Sequence, residues 1–302
     1  MNQINRIDGG LIDQEKVLNF TFNGQILKGY EGDTLASALL ANNKHLIGRS
    51  FKYHRPRGIV TAGSEEPNAI MEIGNGAYRE PNTRATVTKL YNGLEANSQN
   101  HRGPLSFDFM AITDFLSPLL GAGFYYKTFM WPKAFWEKFY EPAIRKSAGL
   151  GTLATEADPD TYDKGFRHCD ILIIGSGATG LSAALTAAES GAKIILADED
   201  FLMGGRLNSE TNKIDGMAGS EWAKKTVAKL SAMENVTLMS DTTVFGAYDH
   251  GIYGALENRA SEAREDNDKP RQVNWRIYTK RAILCAGGTE RLIAFGNNDR
   301  PG

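Results

Sequence analysis

The segment from Asp170 to Asp198 constrains the fold of this chain more than any other stretch. It reads DILIIGSGATGLSAALTAAESGAKIILAD, an apolar strand, a glycine turn, a helix of small residues and a second apolar strand. Gly175, Gly177 and Gly180 have the G-x-G-x-x-G spacing, which permits a tight turn, close approach of a pyrophosphate and close contact between helix and strand. Asp198 ends the second strand, where a carboxylate can bond ribose hydroxyls. The sequence therefore predicts a dinucleotide-binding βαβ unit with the phosphates at the helix N-terminus.

The residues after this unit extend the pattern towards a flavoprotein. Gly204 and Gly205 allow the chain to fold back near the pyrophosphate, and Arg206 either adds a charge-assisted contact there or forms a surface salt bridge. The elements expected further on are a helix, a third strand, a meander and a buried strand ending in glycines, within residues 221–233, 236–239, 241–278 and 281–291. A polar, charge-rich loop is expected inside the meander, over residues 257–269. In two-dinucleotide flavoproteins such a final strand returns beside the first one, and its glycines pass close to the cofactor.

The N-terminal region opens with a predicted β-hairpin. Residues 17–22 alternate between apolar and polar as a half-buried strand does, and residues 25–30 would form the return strand. Asn23-Gly24 between them is the strongest short signal for a hairpin turn, because both positions tolerate a positive φ.

A short helix follows the hairpin. Asp33 or Thr34 can cap a helix over residues 35–41, and further short strands are expected at residues 65–71 and 85–90. A hairpin followed by a helix indicates a β-grasp domain of the ubiquitin or ferredoxin type, with any small α+β module as the alternative.

The middle of the chain is rich in aromatic residues. Residues 105–150 include the run FYYKTFMWPKAFWEKFYEPAIRK, too large an aromatic area to leave exposed on a monomer. We expect this run to pack between domains or against another subunit rather than to line a ligand pocket. The domain plan is therefore a β-grasp domain over residues 1–100, an aromatic-rich connecting segment and linker over 101–165, and a nucleotide domain over 166–302.

Residues 49–57, RSFKYHRPR, form a basic loop with interleaved aromatics. Alone, this loop reads as a nucleic-acid stripe, an anion-binding loop or a solvated loop stiffened by proline. Because the formal net charge of the chain is −2, a solvated loop or a local anion contact is favoured over nucleic acid. His54 and His250 are tempting catalytic candidates, but each is expected to serve a loop contact, so no catalytic residue is assigned.

The composition favours a cytoplasmic chain that binds neither membrane nor nucleic acid. The N-terminus is polar, and the most apolar stretch, residues 115–126, is shorter than the roughly 20 residues that a membrane helix requires. Cys169 and Cys285 lie far apart beside predicted buried strands, which fits small buried hydrophobes in a reducing compartment. The chain has no cysteine spacing typical of a zinc or iron–sulfur site.

Short stretches along nearly the whole chain carry a more specific pattern. They are GYEGDTLASALL (29–40), RSFKYHRPRG (49–58), EEPNA (65–69), the glycine turn, GGR (204–206), FGAYDH (245–250) and FGNNDRPG (295–302). On these residues the chain resembles the N-terminal part of the alpha subunit of heterotetrameric sarcosine oxidase. The glycine turn is common to flavoproteins, whereas KYHRPRG and NNDRPG are much narrower signals.

The resemblance implies an oxidoreductase subunit that acts on CH–NH donors. Enzymes of this family demethylate sarcosine to glycine, form methylenetetrahydrofolate from tetrahydrofolate and reduce oxygen to peroxide. The family implies NAD in the alpha subunit, with the amine-oxidising FAD and a covalently attached FMN in a partner beta subunit. Asp198 argues against the 2′-phosphate of NADP but does not distinguish NAD from FAD, so the choice of NAD rests on the resemblance. Related domains with a [2Fe–2S] cluster use four cysteines; residues 1–100 contain none, and no cluster is expected.

The candidate cofactor-binding residues follow from the glycine turn and this resemblance. They are Gly175, Ser176, Gly177, Ala178, Thr179, Gly180, Asp198, Glu199, Gly205, Arg206, Val244, Ala286 and Gly287. The expected fold class is α/β plus α+β: a cluster-free, ferredoxin-like β-grasp domain, then a truncated FAD/NAD(P)-binding Rossmann-type domain with a β-meander.

The sequence ends at Gly302, where the family continues into further dinucleotide-domain residues and a folate-binding domain. We expect a fragment or a split gene product that does not turn over sarcosine alone, with the tetrahydrofolate site in the missing part. Two other hypotheses are a subunit of a related amine or opine dehydrogenase or hydrogen cyanide synthase-like flavoprotein, and a scaffold with a vestigial nucleotide site.

Overall fold

A computed structural model gives the fold of the chain. It describes residues 3–7, 9–124, 129, 131–147, 149, 151–259 and 269–301. The contacts between residues divide the chain into two compact units, one of Met1–Pro159 with Thr289–Gly302 and one of Asp160–Gly288.

The described residues of the first unit contain a five-stranded sheet and three short α-helices. Its elements are β1 (Asp13–Phe22), β2 (Gln25–Glu31), α1 (Leu35–Ala41), β3 (Gly48–Arg49), β4 (Pro56–Arg57), β5 (Ile70–Ile73), β6 (Glu80–Arg84), β7 (Glu95–Ser98), α2 (Ile112–Phe115) and α3 (Glu141–Ser147). The sheet order is β2-β1-β7-β5-β6; β1 is antiparallel to β2 and parallel to β7. Strands β3 and β4 form a separate two-stranded ribbon. The order and the helix confirm the predicted ferredoxin-like β-grasp fold.

The hairpin and the helix start form as predicted. Asn23 and Gly24 take φ values of 50° and 77°, as a two-residue hairpin turn demands. Thr34 rather than Asp33 caps α1: its hydroxyl accepts a hydrogen bond from Ser37 N (3.1 Å), and Ser37 Oγ accepts one from Thr34 N (3.0 Å). Asp33 is instead buried, where it accepts a hydrogen bond from the Arg6 guanidinium at 2.7 Å.

One expected strand of this unit is wrong. Residues 85–90 form no strand, and β5 begins at Ile70 rather than at residue 65. The reason is that residues 85–90 run past the start of α1, where the carbonyls of Ala85 and Thr88 accept hydrogen bonds from the first N–H groups of the helix. Ala85 and Leu90 are therefore buried although their segment does not join the sheet.

The second unit is built on a six-stranded sheet. Its elements are β8 (Tyr162–Ile174), α4 (Ala178–Glu189), β9 (Ile194–Ala197), β10 (Lys213–Ile214), β11 (Met217–Ala218), α5 (Gly219–Ser231), β12 (Val236–Met239), β13 (Thr242–Tyr248), β14 (Ile252–Asn258) and β15 (Gln272–Leu284). The sheet order is β12-β9-β8-β15-β14-β13, with the first four strands parallel and β13, β14 and β15 joined as an antiparallel meander. This confirms the predicted Rossmann-type domain with a β-meander.

Strands β8 and β15 are longer than the sequence predicts. Strand β8 begins at Tyr162, inside the expected linker, and β15 runs without a break across what were expected to be two strands. The two strands pair in parallel along their length, from Gln272 opposite Tyr162 to Leu284 opposite Ile174, so each extends the other. Part of the predicted charge-rich loop, residues 260–268, lies outside the described residues.

The aromatic connecting segment is only partly folded onto its own unit. Several large apolar side chains in its described part are exposed to solvent, including Phe115 (84% exposed) and Trp131 (83% exposed). Others, including Phe124 and Tyr140, line an apolar cavity of about 270 Å³ together with Lys52. Among the described residues, no helix combines the length and the apolar character needed to cross a membrane.

Candidate dinucleotide-binding site

The glycine turn between β8 and α4 leaves no space for side chains at two of its three glycines. Gly175 has a φ of 100°, and a Cβ there would overlap the Cys285 carbonyl oxygen. A Cβ on Gly180 would overlap the Gly175 carbonyl oxygen, so the helix sits directly on the turn. Gly180 thus permits the close contact between helix and turn that the G-x-G-x-x-G spacing predicts, and Gly175 lies against the residue that follows β15.

Gly177 is different, because the space that a side chain would occupy there is empty. A Cβ there would have no neighbour within 4 Å, and its φ of −66° suits any residue. Gly177 is also the N-cap of the 12-residue helix α4, and within the described residues no side chain caps that helix. The N–H groups of its first turn, at Ala178 and Thr179, are available to an anionic group favoured by the helix dipole.

The Asp198 carboxylate is turned inwards. This residue is 8% exposed, and its oxygens accept hydrogen bonds from the backbone N–H groups of Ser176 and, at 2.9 Å, Asp200. The predicted ribose-binding acid therefore holds the end of β9 to the glycine turn. Glu199, the next residue, is exposed at the same strand end.

The segment after Glu199 folds back onto the glycine turn, as predicted. A Cβ on Gly205 would lie 3.1 Å from the Gly177 Cα, and Gly204 N donates a hydrogen bond to Ser176 Oγ at 3.1 Å. This role of the Ser176 hydroxyl was not predicted, since nothing in the sequence indicates which backbone group it meets.

Arg206 forms the surface ion pair that was one of its two predicted roles. Its Nε donates to Glu210 Oε1 at 2.7 Å, and its side chain is 63% exposed. The hydrogen bond from Arg206 lowers the pKa of the Glu210 carboxyl. In this arrangement the guanidinium is paired with a side chain four residues further along the chain.

The remaining candidate residues lie on or after the neighbouring strands. Ala286 follows β15 beside the turn, since a Cβ on Gly175 would lie 3.2 Å from Ala286 N. Gly287, which comes next, is exposed. Val244 on β13 is half-buried against the core cluster that contains Ala197. Of the three, the structure brings Ala286 directly to the glycine turn.

The three arginines of the basic loop bind other groups of the first unit. Arg49 is buried, and its guanidinium donates to the carbonyls of Leu105 (2.8 and 3.0 Å), Ser106 (3.1 Å) and His54 (3.2 Å). Arg55 pairs with Asp114 at 2.8 Å, and Arg57 pairs with Asp299.

The two histidines take part in loop structure. His54 Nδ1 lies 2.6 Å from Asp108 Oδ2 in a buried pair, the loop contact expected of it. His250 sits in the turn after β13 with a φ of 61°.

Comparisons with known proteins agree with both units. A family model described as a 2Fe-2S iron-sulfur cluster binding domain matches residues 15–101, and one described as an FAD dependent oxidoreductase matches residues 170–269. The chain is 55% identical to sarcosine oxidase subunit alpha of Rhizobium meliloti (strain 1021) over 97% of its own length and 30% of that protein. It is 33% identical to the same subunit of Corynebacterium sp. (strain U-96), over 97% of this chain and 26% of that one.

The chain thus spans less than a third of the length of these relatives. Among solved structures, L-proline dehydrogenase from P. horikoshii matches 96% of this chain and 44% of its own chain, at a TM-score of 0.57 and 20% identity. That likeness concerns the fold.

The two cofactors that the family models imply fit this chain differently. A dinucleotide fits the open side of Gly177 and the uncapped helix start. A [2Fe–2S] cluster needs four protein ligands, normally cysteines. The chain has two cysteines, Cys169 and Cys285, both outside residues 15–101, so the residues present do not fit a cluster.

Proposed function

Because this chain belongs to the family of the sarcosine oxidase alpha subunits, we propose that it is the dinucleotide-binding portion of a multi-subunit oxidoreductase. The nucleotide is NAD, with FAD as the alternative, and it binds at the glycine turn of the second unit. The observation that carries this proposal is the open space at Gly177 in front of the uncapped N-terminus of α4.

Groups of this chain meet the pyrophosphate and the adenosine ribose of the nucleotide. The pyrophosphate accepts hydrogen bonds from the N–H groups of Ala178 and Thr179, in the first turn of the helix. Glu199 accepts hydrogen bonds from the hydroxyls of the adenosine ribose. Asp198 does not contact the nucleotide; its hydrogen bond to Ser176 fixes the shape of the glycine turn.

The chemistry of the whole enzyme is proposed from the family. The assembly oxidises the CH–NH bond of sarcosine, with FAD and FMN in a partner beta subunit and tetrahydrofolate bound in a part of the alpha subunit that this sequence does not include. The assembly is a cytoplasmic heterotetramer. This chain holds a nucleotide, contributes no catalytic residue and carries no iron–sulfur cluster, so by itself it does not oxidise sarcosine.

The exposed apolar side chains of the connecting segment support docking of a partner subunit. Phe107, Phe109, Ile112, Phe115 and Leu119 are each more than 60% exposed. Apolar residues clustered in this way on a surface mark interaction sites more often than free solvent-facing surface. The partner is the flavin-carrying subunit.

Titration calorimetry of the full chain with NAD and with FAD tests the nucleotide proposal. We expect NAD to bind the wild type and binding to be lost in Gly177→Val, because the new side chain fills the pyrophosphate position. Gly121→Val is the matched control, since Gly121 also has a negative φ and open space around it but lies in the first unit.

The outcomes of this titration distinguish the possible ligands of the site. If FAD binds and NAD does not, FAD is the nucleotide of this site. Binding of neither nucleotide by folded chain overturns the proposal and favours a scaffold with a vestigial site.

Reconstitution with the partner subunits tests the chemistry. Peroxide formed from sarcosine supports an oxidase, whereas reduction of a dye without oxygen uptake supports an amine or opine dehydrogenase instead.

A further inference from the structure

A buried carboxylate organises one loop of the first unit. Glu66 is 1% exposed and lies in the loop of residues 58–69, called here the Glu66 loop. Its two oxygens accept five hydrogen bonds, from Val60 N (2.9 Å), Thr61 N (2.7 Å), Thr61 Oγ1 (3.1 Å), Asn68 N (2.7 Å) and Ala69 N (3.1 Å).

This carboxylate is held by N–H and O–H groups rather than by a cation. Among the ion pairs of the described residues, none involves Glu66. The nearby Arg84 guanidinium donates to the Glu66 backbone carbonyl at 3.3 Å instead. Burial of an ionised carboxylate is costly unless donors replace its water, and a ring of backbone N–H groups does so. Such concave sets of N–H groups hold phosphates and iron–sulfur clusters in other proteins.

The spacing of the residues that converge on Glu66 is that of a cluster loop. Plant-type [2Fe–2S] domains carry their cysteines as C-x₄-C-x₂-C, followed by a fourth further on. Here four residues separate Thr61 from Glu66, and two separate Glu66 from Ala69. The family model of a 2Fe-2S cluster domain spans all three positions.

A fourth position closes the loop from the other side. Thr86 is buried, and its hydroxyl donates to the Gly63 carbonyl at 2.7 Å. The preceding residue, Ala85, donates its N–H to the Ala69 carbonyl at 2.9 Å. Thr86 therefore lies beside the loop, where a distant fourth ligand would be required.

We propose that the Glu66 carboxylate takes the structural place of an iron–sulfur cluster in this domain. The loop keeps the spacing and the inward N–H groups of a cluster loop, and the Glu66 carboxylate accepts the hydrogen bonds that the sulfur atoms of a cluster and its cysteine ligands would accept. The positions equivalent to the four ligands are Thr61, Glu66, Ala69 and Thr86. This proposal concerns the first unit and is independent of nucleotide binding by the second.

Hydrogen exchange of the full chain, read by mass spectrometry, tests the role of Glu66. In Glu66→Gln an amide N–H group must face some of the N–H donors, so we expect exchange in peptides covering residues 58–69 to rise about tenfold. Glu65→Gln, a change of the same chemistry at the neighbouring acid, leaves exchange unchanged. Thr61→Val removes one of the five donors and gives a smaller rise. Equal exchange in Glu66→Gln and wild type overturns the proposal.

Rebuilding the cluster tests the equivalence of the four positions. The variant Thr61→Cys/Glu66→Cys/Ala69→Cys/Thr86→Cys is incubated anaerobically with iron and sulfide. We expect about two iron ions and about two sulfides per chain, the absorption of a [2Fe–2S] centre and slow exchange of the loop. The triple variant that keeps Ala69 is the control and binds no cluster. A quadruple variant that stays free of iron, with a rapidly exchanging loop, contradicts the equivalence.

Discussion

The Asp198 carboxylate accepts a hydrogen bond from the backbone N–H of Ser176, 22 residues earlier in the chain. This contact joins the end of β9 to the glycine turn that follows β8. The acid that a nucleotide fingerprint offers for ribose binding thus shapes the turn, while the neighbouring Glu199 is exposed.

Exchanging each acid for its amide should separate these two roles. In Asp198→Asn, a buried acceptor of two N–H groups is weakened, and the free energy of unfolding should fall by about 1–3 kcal/mol. Glu199→Gln should leave unfolding unchanged but weaken nucleotide binding. Urea denaturation and titration calorimetry on both variants provide the measurements. Loss of nucleotide affinity in Asp198→Asn without loss of stability would contradict the assignment.

A methyl group at Gly180 should destabilise the second unit. The Cβ of Gly180→Ala would overlap the Gly175 carbonyl oxygen, so α4 must move away from the turn. Overpacking of this kind costs about 1–3 kcal/mol. Thermal unfolding should show a lower midpoint for Gly180→Ala, whereas Gly177→Ala, whose methyl group meets open space, should unfold like the wild type.

Because of the buried pair of His54 and Asp108, the free energy of unfolding should depend on pH in the acidic range. Burial raises the pKa of the Asp108 carboxyl, but hydrogen bonds from Arg102 N, Met110 N and His54 outweigh it and hold the pKa below the ordinary 3.8. Because the folded pKa is the lower one, this stabilisation is present above about pH 3.8 and is lost as the pH falls through the lowered value.

Asp108→Asn provides the test of this pH dependence. The difference in free energy of unfolding between wild type and variant should be largest near neutral pH and should shrink below pH 3.8. Urea denaturation at a series of pH values measures it. A difference that stays constant down to pH 2.5 (about one unit below the ordinary carboxyl pKa) would show that the Asp108 charge contributes nothing.

Arg49→Lys should cost more stability than Arg55→Lys. The buried Arg49 guanidinium donates to three backbone carbonyls at once, which an ammonium group at the end of a lysine side chain does not reproduce. We expect a loss of about 2–3 kcal/mol for Arg49→Lys and about 0–1 kcal/mol for Arg55→Lys, whose ion pair with Asp114 is partly exposed. Thermal denaturation of both variants checks the order.

Elements fixed by local pattern were predictable from the sequence. Strand β12 has the predicted limits, because it is a short apolar run bounded by turns. The length of β15 was not predictable, since it depends on a partner strand far away in the chain. Nor was the coil conformation of residues 85–90, whose carbonyls meet a helix instead of a strand.

The same division holds for the candidate site. The glycines were predictable, because backbone contact at Gly175 and Gly180 excludes any side chain and spacing alone reports this. The hydrogen bond that the Asp198 carboxylate accepts was not predictable, because only the fold brings its donor, Ser176 N, to this carboxylate. Glu66 gave no signal as an isolated acid, since its importance lies in the five groups that surround it.

The parallel pairing of β8 with β15 has a consequence for how the molecule reaches its native state. The paired residues are about 110 positions apart in the chain, and contacts of such high sequence separation form slowly. Gly175 packs against Cys285, directly after β15, and β15 follows the five other described strands of this sheet in the chain. During translation, the glycine turn therefore leaves the ribosome well before β15, and the turn reaches its native surroundings only late in folding.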